Sequence, residues 1–141
     1  VTFSKKTAAA MTALGAVTAA IALAAPTAGA AVTRIDVSPG LSFGSSNSFG
    51  TGCSYTVTAT ARPGIAVVFL DEVDGLRTTD TLKPVGPVAD ANGKASTTWT
   101  PAKKGEHKLW AAEYISGETY FLTTVTVGTG VNAGPACVVL P

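Results

Sequence analysis

The strictest constraint in this chain is a period-two alternation punctuated by turns. Cys53, Tyr55, Val57, Ala59 and Ala61 alternate with Ser54, Thr56, Thr58, Thr60 and Arg62. Successive side chains of an extended strand point to opposite faces. The pattern therefore gives a strand with an apolar inner face and a hydroxyl-rich outer one. Pro63-Gly64 closes it. Ala95, Thr97 and Trp99 alternate with Lys94, Ser96, Thr98 and Thr100 in the same way, after an Asp90-Ala91-Asn92-Gly93 turn. The tryptophan is placed on the inner face.

The other segments agree. Thr33 to Val37 reads as a first strand with Ile35 inward. Ile65 to Val73 is a more continuous apolar run, expected to form a buried strand ended by Asp74-Gly75. Pro84 and Pro87 restrict the stretch from Leu76 to Ala91 to short edge pieces. His107 to Tyr114 and Thr119 to Val127 supply two further strands. About seven short strands, with no 3.6-residue period beyond residue 30, predict an all-β antiparallel sandwich.

The first thirty residues have a different character. Lys5 and Lys6 precede an alanine-rich apolar run from Ala8 to Ala25, then Pro26 and Ala28-Gly29-Ala30. This is the pattern of a helical signal peptide with a small-x-small cleavage site. A retained membrane helix is the competing reading, disfavoured by the weakly hydrophobic Ala and Thr content. Cleavage leaves a single domain over residues 31–141 with no second run of about 18 apolar residues. That mature form is expected to be secreted or envelope-associated and not embedded in a membrane. Of ten basic residues it keeps eight, against nine acidic ones, a formal charge of −1. No basic stripe points to nucleic acid; Lys103-Lys104 reads as a solvated turn.

The chain has two cysteines, Cys53 and Cys137, separated by 84 positions. In a secreted domain they are expected to pair as a disulfide tethering the tail. Leu41 to Gly52 is rich in glycine and serine and carries Phe43 and Phe49. It reads either as a flexible loop pinned by its phenylalanines or as an aromatic binding loop.

The segment Asn92-Gly93-Lys94-Ala95-Ser96-Thr97-Thr98-Trp99-Thr100-Pro101, then Gly105-Glu106-His107-Lys108-Leu109-Trp110-Ala111, resembles bacterial immunoglobulin-like domains of small secreted actinobacterial proteins. Thr123-Thr124-Val125-Thr126-Val127 resembles the family's last strand. The resemblance implies an immunoglobulin-like sandwich used for binding, adhesion or structural support. It usually places a tyrosine on the face shared by the leucine and alanine of the penultimate strand. Here Tyr114 has the other parity. Either a bulge sits near Ala112-Glu113, or Trp110, Ala112 and Tyr114 face inward. A second, shorter resemblance, of Ala89 to Ser96, is to the secreted neocarzinostatin-type apoproteins. It implies a small-ligand cleft, although that family has two disulfides.

Candidate chemistry is sparse. His107, the single histidine, has no Gly-x-Ser-x-Gly partner and reads as an edge or partly exposed sheet residue. Asp71, Glu72 and Asp74 precede Gly75 without forming a full calcium loop, and read as a solvated turn. The remaining carboxylates are expected in turns or on wet faces. Neither a catalytic set nor a metal or cofactor site is assigned. Trp99, Trp110, Tyr114 and Tyr120 are the candidate aromatic platform. Trp110, Phe43 and Phe49 are the residues expected to contact a partner, either a protein or an envelope glycan.

Overall fold

The computed structural model describes residues 32–44, 49–115 and 120–141. The segment expected to direct export lies outside them. Eleven strands are described: β1 (Val32–Ser38), β2 (Ser42–Gly44), β3 (Phe49–Gly50), β4 (Tyr55–Ala61), β5 (Val67–Val73), β6 (Leu76–Thr78), β7 (Leu82–Lys83), β8 (Lys94–Trp99), β9 (Gly105–Glu113), β10 (Tyr120–Asn132) and β11 (Cys137–Leu140). One sheet has the order β1-β4-β8-β7. The other runs β2-β11-β10-β9-β5-β6, with β3 against β10.

All pairings are antiparallel except β3 with β10 and β2 with β11. Set aside the short β2, β3 and β11. Two sheets then remain, β1-β4-β8-β7 and β6-β5-β9-β10. In chain order these are the A-B-E-D and C′-C-F-G arrangements of an immunoglobulin-like sandwich, β6 being the added C′ strand. The extra strands beyond the seven expected are short. Three of them form additions that the alternation pattern is too brief to reveal.

The alternating segments fold as their periodicity dictates. Tyr55, Val57 and Ala59 of β4 and Ala95, Thr97 and Trp99 of β8 point into the core, with Thr56 and Thr98 outside. Facing them are Val67, Phe69, Leu109, Ala111 and Val127 of the larger sheet. Each fully buried Val, Leu or Phe contributes about 1.5–3 kcal/mol relative to exposure. The continuous apolar run of β5 reads as a buried strand. It is buried on one face only, with Val68 and Leu70 half-buried on the outer face.

Both readings of the β9 parity are corrected. The register from Val67↔Glu113 to Val73↔His107 runs without a shift, so no bulge is present. His107, Leu109, Ala111 and Glu113 face inward, and Tyr114 lies past the strand end, exposed. The inward Glu113 is tolerable because Arg62 holds it, through its guanidinium and its backbone N–H.

Two glycines are geometric necessities. Gly93 has φ 74°, and a β-carbon there would collide with the Ala61 carbonyl oxygen. Asp90 closes the same turn by accepting from the N–H groups of Asn92 and Lys94 at 2.8 and 2.9 Å. At Gly130 a β-carbon would meet the backbone of Gly50 and Thr51. Only hydrogen at that position lets β3 lie against β10.

Cys53 and Cys137 form the expected disulfide, with their Cα atoms 6.1 Å apart. The tail is more than tethered. Its β11 is hydrogen-bonded between β10 and β2, and both cysteines are buried beneath that small sheet.

Candidate functional site

The segment before Gly75 does not behave as one solvated cluster. Its three acids diverge because β5 is still a strand as far as Val73. Asp71 shares the inward parity of Val67, Phe69 and Val73 and is fully buried. Glu72 points outward, 2.7 Å from Arg77 and 3.8 Å from Lys108. Asp74 sits in the turn with φ 52°. Among the described residues, no three His, Cys, Asp or Glu side chains converge to hold a metal.

His107 is likewise in the core, on the central strand β9, and not at an edge. Its Nδ1 lies 2.7 Å from Asp71 Oδ1 and its Nε2 lies 2.9 Å from the Lys103 carbonyl oxygen. Asp71 Oδ2 accepts from Trp99 Nε1–H and from the Thr81 hydroxyl, each at 2.9 Å. A carbonyl oxygen can only accept, so Nε2 carries a proton.

Burial pushes the Asp71 carboxyl upward. The hydrogen bonds from His107, Trp99 and Thr81, with the imidazole charge, more than offset this and hold it below its ordinary value. Burial pushes His107 downward. Its bonds to Asp71 and the Lys103 carbonyl, with the charges of Asp71 and Asp74, prevail and raise it. Below the raised folded value of His107, and with Asp71 ionised, Nδ1 is protonated as well and the pair is a buried imidazolium–carboxylate.

This geometry is unlike that of a catalytic dyad. A general base needs a free ring nitrogen within reach of a nucleophile. Here Nε2 is spent on a main-chain carbonyl. Thr81, the only hydroxyl among the described residues bonded to the cluster, donates to the carboxylate and not to the imidazole. The cluster links the sheets: Asp71 and His107 belong to one, Trp99 to the other. The sequence carried a signal for it, since Asp71 and His107 both keep the parity of apolar neighbours.

The aromatic candidates separate. Trp99 is fully buried against His107, Phe49 and Tyr55. Phe49 is half-buried and packs against the core, edge-on to Tyr55. The Leu41 to Gly52 segment is thus anchored by a strand at each end; residues 45–48 lie outside the described set. The Tyr55 hydroxyl helps anchor both strands, accepting from Gly50 N–H at 2.7 Å and from Ser42 Oγ at 3.2 Å.

Trp110 lies on the outer face of the larger sheet, in the cross-strand row Leu70, Trp110, Leu122. The neighbouring row is Val68, Ala112, Tyr120. The Arg77 guanidinium stands 4.2 Å above the indole, and the Tyr120 ring packs 4.5 Å from it at 51°. Trp110 is half-buried, and a concavity of about 320 Å³ lies beside it, lined also by Val68, Leu70 and Ala112. Phe43 is 58% exposed on β2.

The recess beside the Ser-Gly segment is about 210 Å³, lined by residues that include Leu41, Tyr55, Asn132 and the disulfide. That is smaller than the clefts of about 300 Å³ and more that hold small ligands.

Comparison with known proteins adds only distant likeness. No protein-family model matches the chain, and no curated protein matches it. Solved structures similar to it include the D00-D0 domain of intimin, at 19% identity over 68% of this chain and 46% of that one, with a TM-score of 0.49. Domains 4 and 5 of the S-layer protein SbsC match at 16% identity over 68% and 51%, with a TM-score of 0.39. The PKD domain of an M14-like peptidase from a Thermoplasmatales archaeon matches at 18% over 68% and 94%, with a TM-score of 0.35. The chain spans about half the length of the first two.

Proposed function

We propose that this protein is a secreted, non-enzymatic immunoglobulin-like module. It serves binding, adhesion or structural support at the cell envelope or outside it. Residues 1–30 direct export, and the working domain is residues 31–141. The observation that carries this reading is how the polar chemistry is deployed. The buried acid–base pair of the core is consumed internally, whereas the outer face of the larger sheet presents Trp110 and Tyr120 beside Arg77. Rigid scaffolds of this class act through such surfaces. A buried disulfide suits an oxidising compartment. The small-ligand alternative finds no support in the 210 Å³ recess.

The test is retention of the purified protein on isolated envelope glycan and on immobilised secreted proteins. Wild type should be retained, and Trp110→Ala should lose at least about tenfold with its circular dichroism unchanged. Equal retention of the variant would remove Trp110 from the reading. Turnover of any glycan or peptide by the wild type would overturn the non-enzymatic assignment. N-terminal sequencing of protein from culture medium should begin at Ala31.

A further inference from the structure

One charged row crosses the outer face of the larger sheet beside Trp110. The register sets Glu72 opposite both Arg77 and Lys108. Arg77 is held from two sides. Its Nε donates to Glu72 Oε2 at 2.7 Å, and its guanidinium carbon lies 4.2 Å above the indole of Trp110. Neither terminal nitrogen of that guanidinium has a hydrogen-bond partner among the described residues. Those two nitrogens form a planar fork, which meets a carboxylate or a phosphate in two parallel hydrogen bonds.

We infer that Arg77 and the concavity beside it bind a sugar ring that carries an oxyanion, the repeating unit of an acidic polysaccharide. Arg77 takes the carboxylate or phosphate, and the ring lies against Tyr120. The inference rests on the envelope-binding reading and names the ligand class of its surface.

Three observations select this ligand. The first is the preorganised charge. Glu72 is turned to Nε of Arg77 and to Lys108, which leaves the terminal edge of the guanidinium to a ligand. Arg77 and Lys108 outnumber Glu72 in the row. Glu106 and the turn residue Asp74 lie beyond that row, farther from the concavity. Trp110 and Glu72 have already ordered the arginine, so little rotamer freedom is lost on binding.

The second is the lining. The concavity of about 320 Å³ is just above the lower limit of about 300 Å³ for small-ligand clefts. Val68, Leu70 and Ala112 line it together with Tyr120, which is 57% exposed. An open aromatic ring offers an apolar face to the C–H face of a pyranose.

The third is the backbone. The strand under the concavity, β9, is paired along both edges, to β5 and to β10. It therefore offers no main-chain donor or acceptor to an extended peptide, whose own amides would lie against apolar side chains. A sugar ring keeps its hydroxyls at the rim, in water.

The test follows the Trp110 indole N–H resonance of the purified protein by heteronuclear NMR. The titrants are trigalacturonic acid, its methyl ester, glucose monophosphate and tetraglutamate. An acidic sugar should shift the resonance with a dissociation constant on the order of 1 mM, and the methyl ester should bind at least about tenfold more weakly. The tighter of the two acidic sugars identifies the oxyanion. Arg77→Lys keeps the charge but loses the fork, and should weaken binding at least about fivefold with the melting temperature near wild type. Tyr120→Ala should weaken it to a similar extent. Lys94→Gln, on the other sheet, should leave it unchanged. Binding of neither acidic sugar would overturn the inference. So would equal binding of the ester, or full binding by Arg77→Lys. Tetraglutamate bound as tightly as the sugars would overturn it in favour of an acidic peptide. Should the inference fail while wild type is still retained on envelope glycan or secreted proteins through Trp110, the envelope-binding reading stands without it. Loss of that retention as well would remove both.

Discussion

Trp99 Nε1 donates to Asp71 Oδ2 at 2.9 Å, a hydrogen bond that passes from one sheet of the sandwich to the other through the core. The other oxygen of the same carboxylate holds His107. A buried charge is tolerable only when paired and fully hydrogen-bonded, and Asp71 meets both conditions. The side chain therefore fixes how the sheets stack. Apolar contact alone is not directional enough to do this.

Asp71→Asn should be severely destabilising. It leaves a buried imidazolium without its counter-charge, at a cost of about 3–5 kcal/mol. Urea denaturation would measure it. In a double-mutant cycle with His107→Gln, the two losses should fall short of additivity by more than about 1 kcal/mol. Additive losses would show that the pair is not coupled.

Stability should depend on pH through the same pair. His107 is raised in the folded state. Its contribution is fully present below its unfolded value of about 6.5 and is lost as pH rises through the folded value. Asp71 is lowered. Its contribution is present above about 4 and is lost as pH falls through its folded value. The hydrogen bond from Arg77, partly opposed by burial, together with the charges of Arg77 and Lys108, lowers Glu72, which adds to the acid limb. The denaturation midpoint should be greatest between about pH 4 and 6.5 and fall on both sides. His107→Gln should flatten the alkaline fall. A midpoint that climbs steadily from pH 6.5 to 9 would contradict the assignment.

Loss of the disulfide should act on one corner of the molecule. Replacing Cys53 and Cys137 by alanine is expected to cost about 2–5 kcal/mol. Hydrogen exchange should accelerate most in β11 and β2, which the bond holds down, and least in β9. Uniform acceleration would mean that the bond stabilises only the whole fold. Intact mass without reductant should lie two protons below the reduced mass.

Gly130→Ala should destabilise by about 1–3 kcal/mol, since its β-carbon would enter the backbone of Gly50 and Thr51. Loss of the Phe49 contact with Tyr55 should appear as a change in near-ultraviolet circular dichroism. An unchanged spectrum and midpoint would show that β3 can give way freely.

The sequence by itself determined the sandwich. Period two in β4 and β8 sorts every side chain to a face without reference to any other strand, because the pleat is a local property. It also placed Trp99 inward and identified the two cysteines as partners. The short strands were illegible, since two or three residues carry no period and are ordered only by the neighbour they pair with. Phe49 became a core residue and Phe43 a surface one for that reason: β3 lies on β10, while β2 lies at the outer margin of β11.

The fate of the charged residues was also decided in three dimensions. Asp71, His107 and Glu113 sit at inward positions of their strands, where sequence alone makes them liabilities. Only the folded molecule brings up the Trp99 indole, the Lys103 carbonyl and the Arg62 guanidinium that satisfy them. The Lys103 carbonyl lies four positions from His107, but Trp99 and Arg62 are 28 and 51 positions from the carboxylates they satisfy, and no local pattern encodes those.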